Sequence, residues 1–227
     1  MMFIDGEGFA RRGQEFLRSK GIEPSTGAFF QPHVFLWFRT GRAAFEAFSP
    51  LPVQRLETHA IRWHYYTAMR GPGPEAPDDE AESESCASHE DEKARSLTRR
   101  QFEEATDGVR DRLIALGFDP QVFKKVSKRS KGVDISLARD LLGHAYKDNY
   151  EVAVLVAGDG DFVPLVEDVK RLGKQVVVMF FKSQGLSQEL RRHADVFVDL
   201  EPIFLQSWGT SAERLPWPAP ATPAVGG

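Results

Sequence analysis

The chain has 227 residues, 41% of them hydrophobic, a formal net charge of −4 and a single cysteine. That is enough apolar material for one substantial core and too little for a second full domain. One cysteine excludes a disulfide framework and a cysteine-built zinc site, and no apolar run approaches the length of a membrane span. The N-terminus lacks the basic start and long apolar core of a signal peptide. Met1 leads almost directly into an apolar strand, which argues that nothing is cleaved off, and a cytoplasmic location is expected.

In chain order, Met1-Met2-Phe3-Ile4 reads as a short strand running into Asp5-Gly6-Glu7. Residues 9–17 predict a helix with Phe9, Phe16 and Leu17 inward and a basic character from Arg11, Arg12, Arg18 and Lys20; the Gly21-Ile22-Glu23-Pro24 run ends it. Between 29 and 48 lie Phe29, Phe30, Phe35, Trp37, Phe38, Phe45 and Phe48 without a clean period. They could be platforms for stacking RNA bases beside Arg39 and Arg42. Core packing, or a subunit interface compatible with a homodimer, weighs more, because buried area is what aromatics usually supply.

From Gly71 to Glu92 the chain carries nine acids, three prolines and no lysine or arginine. Low hydrophobicity and one-sign charge predict a disordered acidic insertion at about 71–95. Without those acids the rest of the chain is near +5, which favours an anionic partner. The insertion itself could mimic nucleic acid and shield a groove, but a solvated loop without contacts is the weightier reading. Residues 97–116 predict an amphipathic helix, with Phe102, Ala105, Val109, Leu113 and Leu116 on one face and Gly117 at its end. Val122 and Phe123 start a short strand. Lys124, Lys125, Lys128, Arg129 and Lys131 follow, a basic run suited to phosphate contact or to an ordinary solvated loop.

The most informative stretch is 132–181. Residues 152–156 are continuously apolar and end in Gly158-Asp159-Gly160-Asp161. Phe162, Leu165, Val166, Val169 and Leu172 then follow at helical spacing, Gly173 stands at the C-cap, and residues 176–181 are apolar again. Strand, acidic turn, helix, strand is the βαβ unit of a parallel sheet. Ligands of such sheets bind beyond the carboxyl ends of the strands, where Asp5, Asp159 and Asp161 fall. Asp134 precedes Ile135, Leu137, Ala138, Leu141 and Leu142 and is placed to cap or open a helix. Four converging carboxylates repel one another unless a divalent cation neutralises them, and oxygen-only ligation suits Mg2+ or Mn2+. An acidic turn that caps the following helix, with Pro164 in its first turn, accounts for one of the pair Asp159 and Asp161 but not for Asp5 and Asp134.

The motifs F-I-D-G-E-G-F, K-G-V-D-I-S-L-A-R-D-L-L, V-L-V-A-G-D-G-D-F-V-P-L-V and L-S-Q-E-L-R-R-H-A-D-V-F-V-D-L, in this order, resemble the NYN domain, of the LabA-like branch within the PIN-like nuclease superfamily. The resemblance covers roughly residues 1–200. It implies an α/β fold, a three-layer α/β/α sandwich with a central, mostly parallel sheet, in which residues 60–69 form the second strand and a helix and last strand close the sheet near 186–200. It implies metal-dependent RNA cleavage through a metal-activated water, with the family's metal-binding acids falling on Asp5, Asp134, Asp159 and Asp161. Lys131 falls beside the site. Where the family usually carries an asparagine three positions after its first aspartate, this chain has Gly8, and Ala157 replaces a common serine.

The expected organisation is one domain over 1–205, interrupted by the insertion at about 71–95, and a flexible proline-rich tail over 206–227. A catalytically weak or inactive RNA- or protein-binding module on the same fold is the alternative. A phosphatase of another α/β fold ranks low, because it leaves the first strand and its acid unexplained. His33, His59, His64, His89, His144 and His193 show no paired metal spacing. Asp140 and Asp195 are expected to be structural, and Ser183 and Ser187 follow a strand end where phosphate could reach them.

Overall fold

The computed structural model describes residues 1–24, 29–37, 62–70, 89–125 and 131–209, the side chains of 89–99, 131, 206, 207 and 209 excepted. Its elements are β1 (Met2–Asp5), α1 (Gly6–Ser19), a small hairpin β2 (Phe30–Gln31) and β3 (Phe35–Leu36), β4 (Trp63–Arg70), α2 (His89–Ala115), β5 (Asp119–Lys125), α3 (Lys131–Tyr146), β6 (Val152–Val156), α4 (Val163–Arg171), β7 (Gln175–Phe180), α5 (Gln188–His193), β8 (Val196–Asp199) and α6 (Glu201–Gly209). Six strands form one sheet in the order β5-β4-β1-β6-β7-β8, and every pairing in it is parallel. The chain builds outward from β1 through β4 to β5, then returns to the other side of β1 and builds outward again to β8. The direction reverses between β1 and β6. That reversal opens a crevice at the carboxyl ends of the two strands.

Both sheet faces are covered, as continuously apolar parallel strands require. On one face Phe9, Phe16 and Leu17 of α1, Val109 and Leu113 of α2, and Phe204 and Trp208 of α6 pack with Ile4, Tyr65, Val177 and Met179 of the sheet. On the other, Val133, Leu137 and Leu141 of α3, Leu165, Val166 and Val169 of α4 and Leu190 of α5 pack with Phe3, Tyr66, Leu155 and Val178. Neighbouring strand residues go to opposite clusters, the period-two signature of a strand. The α/β/α sandwich is thus the architecture of the chain.

The aromatic segment falls on the core side where the described residues reach it. Phe30, Phe35 and Trp37 are buried, and Trp37 packs edge-on to Phe118 with ring centroids 4.7 Å apart. These three rings are spent in packing and offer no stacking platform; Phe38, Arg39, Arg42, Phe45 and Phe48 lie outside the described residues. Three boundaries differ from the sequence reading. The helix α2 begins at His89, so the last residues of the expected insertion are helical, while 71–88 lie outside the described residues. Ala105 is exposed, so the buried stripe of α2 is Phe102, Val109 and Leu113. At the other end α6 carries the fold past 205 to Gly209, with Trp208 buried; 210–227 lie outside the described residues.

Candidate functional site

Asp5 is the last residue of β1 and the N-cap of α1, and its Oδ1 accepts the backbone N–H of Gly8 at 3.0 Å. A short polar side chain at this position satisfies one of the open amides of the helix. The local turn depends on what residue 8 lacks. A Cβ on Gly8 would stand 2.1 Å from Asp5 Oδ2, so the carboxylate occupies the volume a side chain at 8 would need. Loss of solvent pushes the Asp5 carboxyl up to about 7; the Gly8 N–H works against that shift, and the charges of Asp134 and Glu7 reinforce it.

Asp159 and Asp161 follow β6 at the neighbouring strand end. The chain turns at Gly158, where a Cβ would lie 2.3 Å from the Phe180 ring, so only glycine fits against β7. Asp159 caps a single 3-10 turn, Gly160–Phe162, by accepting the Asp161 N–H at 3.1 Å, and Pro164 stands in the first turn of α4. Capping thus uses one acid, and Asp161 is left exposed beside it. Asp134 is exposed in the first turn of α3. Its carboxyl is raised by desolvation first and then by the charges of Asp159, Glu7 and Asp161.

Asp134 therefore feels the charges of Asp159 and Asp161, and Asp5 that of Asp134, across the crevice. Among the described residues, however, no group of three or more His, Cys, Asp or Glu side chains is arranged to hold a metal ion. The donor chemistry still fits a hard divalent cation. All the donors are oxygens at one sheet end, and burial and mutual repulsion push Asp5 and Asp134 toward protonation. Asp5 and Asp159 each spend one oxygen on a backbone N–H.

The basic run divides. Lys125 forms an ion pair with Glu7 that joins the end of β5 to the first turn of α1; the two side chains are only 14% and 16% exposed. Lys124, on the opposite face of β5, stands over the Phe102 ring of α2 at 5.4 Å. Lys125 is thus committed to Glu7, while Lys124 is exposed on the face away from it. Lys128 and Arg129 lie outside the described residues, as does the side chain of Lys131, whose backbone opens α3. In the sequence Glu7 stands out only as the end of the Asp5-Gly6-Glu7 run. It is a fifth carboxylate of this cluster, raising both Asp5 and Asp134.

Asp140 and Asp195 make structural contacts, and Ser183 and Ser187, expected within reach of phosphate, make local ones. Asp140 accepts the Tyr66 hydroxyl at 3.0 Å and Gln121 Nε2 at 2.6 Å, tying α3 to β4 and β5. Asp195 accepts the Val176 N–H at 2.7 Å and pairs with Lys170 at 2.8 Å. Ser187 caps α5, and the Ser183 N–H donates to Glu201.

The NYN domain model matches residues 84–201. That span includes Asp134, Asp159 and Asp161 and stops short of β1 and Asp5. Low amplitude and bright protein LabA of Synechococcus elongatus is 29% identical over 129 residues, which is 52% of this chain and 66% of that protein. An uncharacterized protein of Methanocaldococcus jannaschii is 27% identical over 100 residues, 44% of this chain and 39% of that one. The chain thus spans less than two-thirds of the length of these curated relatives. Among solved structures it is similar to a protein of unknown function from Vibrio parahaemolyticus RIMD 2210633, with 18% identity, a TM-score of 0.47, and coverage of 89% of this chain and 93% of that one.

Proposed function

This chain belongs to the NYN domain family, and on that premise we propose that it is a metal-dependent ribonuclease working at the crevice between β1 and β6. Members of the family are generally hydrolytic nucleases of the PIN-like superfamily. The reading is supported by acids that three separate elements bring to the strand ends where the sheet order reverses: Asp5 ends β1, Asp159 and Asp161 follow β6, and Asp134 on α3 feels the charges of Asp159 and Asp161 and raises Asp5 in turn. Helix caps account for Asp5 and Asp159 and leave Asp134 and Asp161 unexplained.

Asp5, Asp134, Asp159 and Asp161 would hold Mg2+ or Mn2+. A bound divalent cation supplies polarisation of the scissile phosphate and a water acidic enough to attack near neutral pH. The chain's own part is to fix the acceptors. The Gly8 and Asp161 amides each hold one carboxylate oxygen in place, so Asp5 and Asp159 meet a ligand with their remaining oxygen already oriented. Lys131, Lys128 and Arg129 follow β5 and are assigned to the RNA backbone on the α3 side. Lys125 balances Glu7, and Lys124 is too far around β5 to share that role. We assign 1–209 to a single domain and the protein to the cytoplasm. No helix among the described residues is long and apolar enough to cross a membrane.

A second reading, a binding module on the same fold, is favoured by Gly8 and by the engagement of Asp5 as a helix cap. One assay separates the two. Labelled single-stranded and structured RNAs are incubated with the protein in Mn2+, in Mg2+ and in EDTA, with Asp159→Asn alongside. The nuclease reading expects cleavage that needs the cation and disappears in the variant. Intact RNA in every condition, with RNA binding preserved, gives the binding module.

A further inference from the structure

We propose that the RNA backbone is also held along α1 and the loop from β7 to α5, with Arg12 as its principal phosphate contact there and Arg11 next to it on the helix. The proposal rests on the RNA reading above and adds a surface to it. On the β5 side Lys125 is paired with Glu7, and Lys124 is exposed but lies over Phe102 on the opposite face of the strand. Along α1 Arg11, Arg18 and Lys20 are exposed, with Arg12 partly exposed among them.

Arg12 is seated in a place made for it. A Cβ on Gly185 would lie 2.6 Å from Arg12 Nε and 2.9 Å from Cζ, and Gly185 has a φ of +71. Any other residue there would be strained and would push the guanidinium out. Glu15 takes one guanidinium nitrogen at 2.8 Å, with both side chains about 40% exposed. A surface pair of this kind is weak. It orients the fork without competing seriously against a phosphate, which a guanidinium binds with two parallel hydrogen bonds.

The same loop is fastened to the acidic turn. The Ser187 N–H donates to the Gly158 carbonyl at 2.8 Å, and Ser187 Oγ lies 3.0 Å from where a Cβ on Gly160 would be. Arg12 stands about 10 Å along the axis of α1 from Asp5. That is far enough to meet a phosphate next to the scissile one rather than the scissile one itself. Arg11 is nearer, since its charge reaches Asp5 and lowers that carboxyl. Lys182 is exposed in the same loop.

The test is binding of a fluorescent single-stranded RNA in EDTA, followed by anisotropy across a series of KCl concentrations. Arg12→Ala should bind about five- to tenfold more weakly, and its log–log salt slope should be shallower by about 0.7, the share of one phosphate contact on a single strand. Gly185→Ala keeps the arginine but displaces it, and should weaken binding in the same direction. Lys124→Ala should bind as the unaltered protein does. Circular dichroism identifies any variant that has lost its fold, and Arg11→Ala, a change at an exposed position, then stands in for it with the same expected loss. Unchanged affinity and slope in Arg12→Ala and Arg11→Ala would overturn the proposal while leaving the nuclease reading intact. No RNA binding by the unaltered protein at any salt would overturn both.

Discussion

Gly8 and Asp5 compete for one small volume, and that competition decides what the first acid can do. With a Cβ at residue 8 standing 2.1 Å from Asp5 Oδ2, Gly8→Asn must swing the carboxylate off the Gly8 amide. The cap is lost, at a cost of about 1 kcal/mol in a denaturant titration. Asp5, Asp159 and Asp161 were legible in the sequence because each sits where an apolar run stops abruptly at a glycine-flanked acid. The engagement of Lys125 was not. Its partner Glu7 lies 118 positions away in the chain, and no local pattern reports a pairing at that distance.

His64 gives a residue-scale prediction at the other end of the sheet. It is buried, stacked on Phe3 with ring centroids 5.2 Å apart, and 3.3 Å from Asp119. Burial lowers its pKa, Asp119 and Asp140 oppose the shift, and His144 and Arg62 add to it. The unfolded chain therefore binds more protons than the folded one below about pH 6.5. Stability held above that pH should be lost as the pH falls through the window beneath it. Unfolding curves at about pH 5.5 and about pH 7.5 should differ less in His64→Phe, which keeps the ring stack and removes the titration; an unchanged difference contradicts the assignment.

At the scale of elements, α3 is held by two kinds of contact. Its apolar stripe was legible from spacing, and Val133, Leu137 and Leu141 are buried accordingly. Its polar clamp was not, because Asp140 gathers Tyr66 from β4 and Gln121 from β5, two strands separate in sequence. Asp140→Ala strands both donors and should cost about 1–3 kcal/mol. Amide exchange in α3 should quicken more than in α4 if the clamp acts locally. The Glu7–Lys125 pair joins α1 to β5 in the same way. Lys125→Met removes the ion-pair partner of a largely shielded carboxylate and should lower stability. Glu7→Gln combined with Lys125→Met should recover most of that loss in the same denaturant titration, because neither charge is then stranded.

For the whole molecule, the parallel sandwich was legible because strands buried on both faces leave continuous apolar runs, as in β6 and β7. The edge strand β5 was only half legible. Among the described residues one side of it has no neighbouring strand, its residues are mostly half-exposed, and the sequence shows just Val122 and Phe123 as strand-like. Strand order could not be read from pattern either, yet it is the order that places β1 beside β6 and brings Asp5 to Asp159. The site is thus a product of topology acting on motifs that the sequence displays separately.

The most direct measurement of the central claim is Mn2+ binding followed by electron paramagnetic resonance, on the unaltered protein and on Asp5→Asn, Asp134→Asn, Asp159→Asn and Asp195→Asn. The account predicts saturable binding that weakens at least tenfold in each of the first three and is unchanged in Asp195→Asn, whose carboxylate is occupied by Val176 and Lys170. Binding that is absent, or that all four variants share with the unaltered protein, would contradict a cation centre at the ends of β1 and β6.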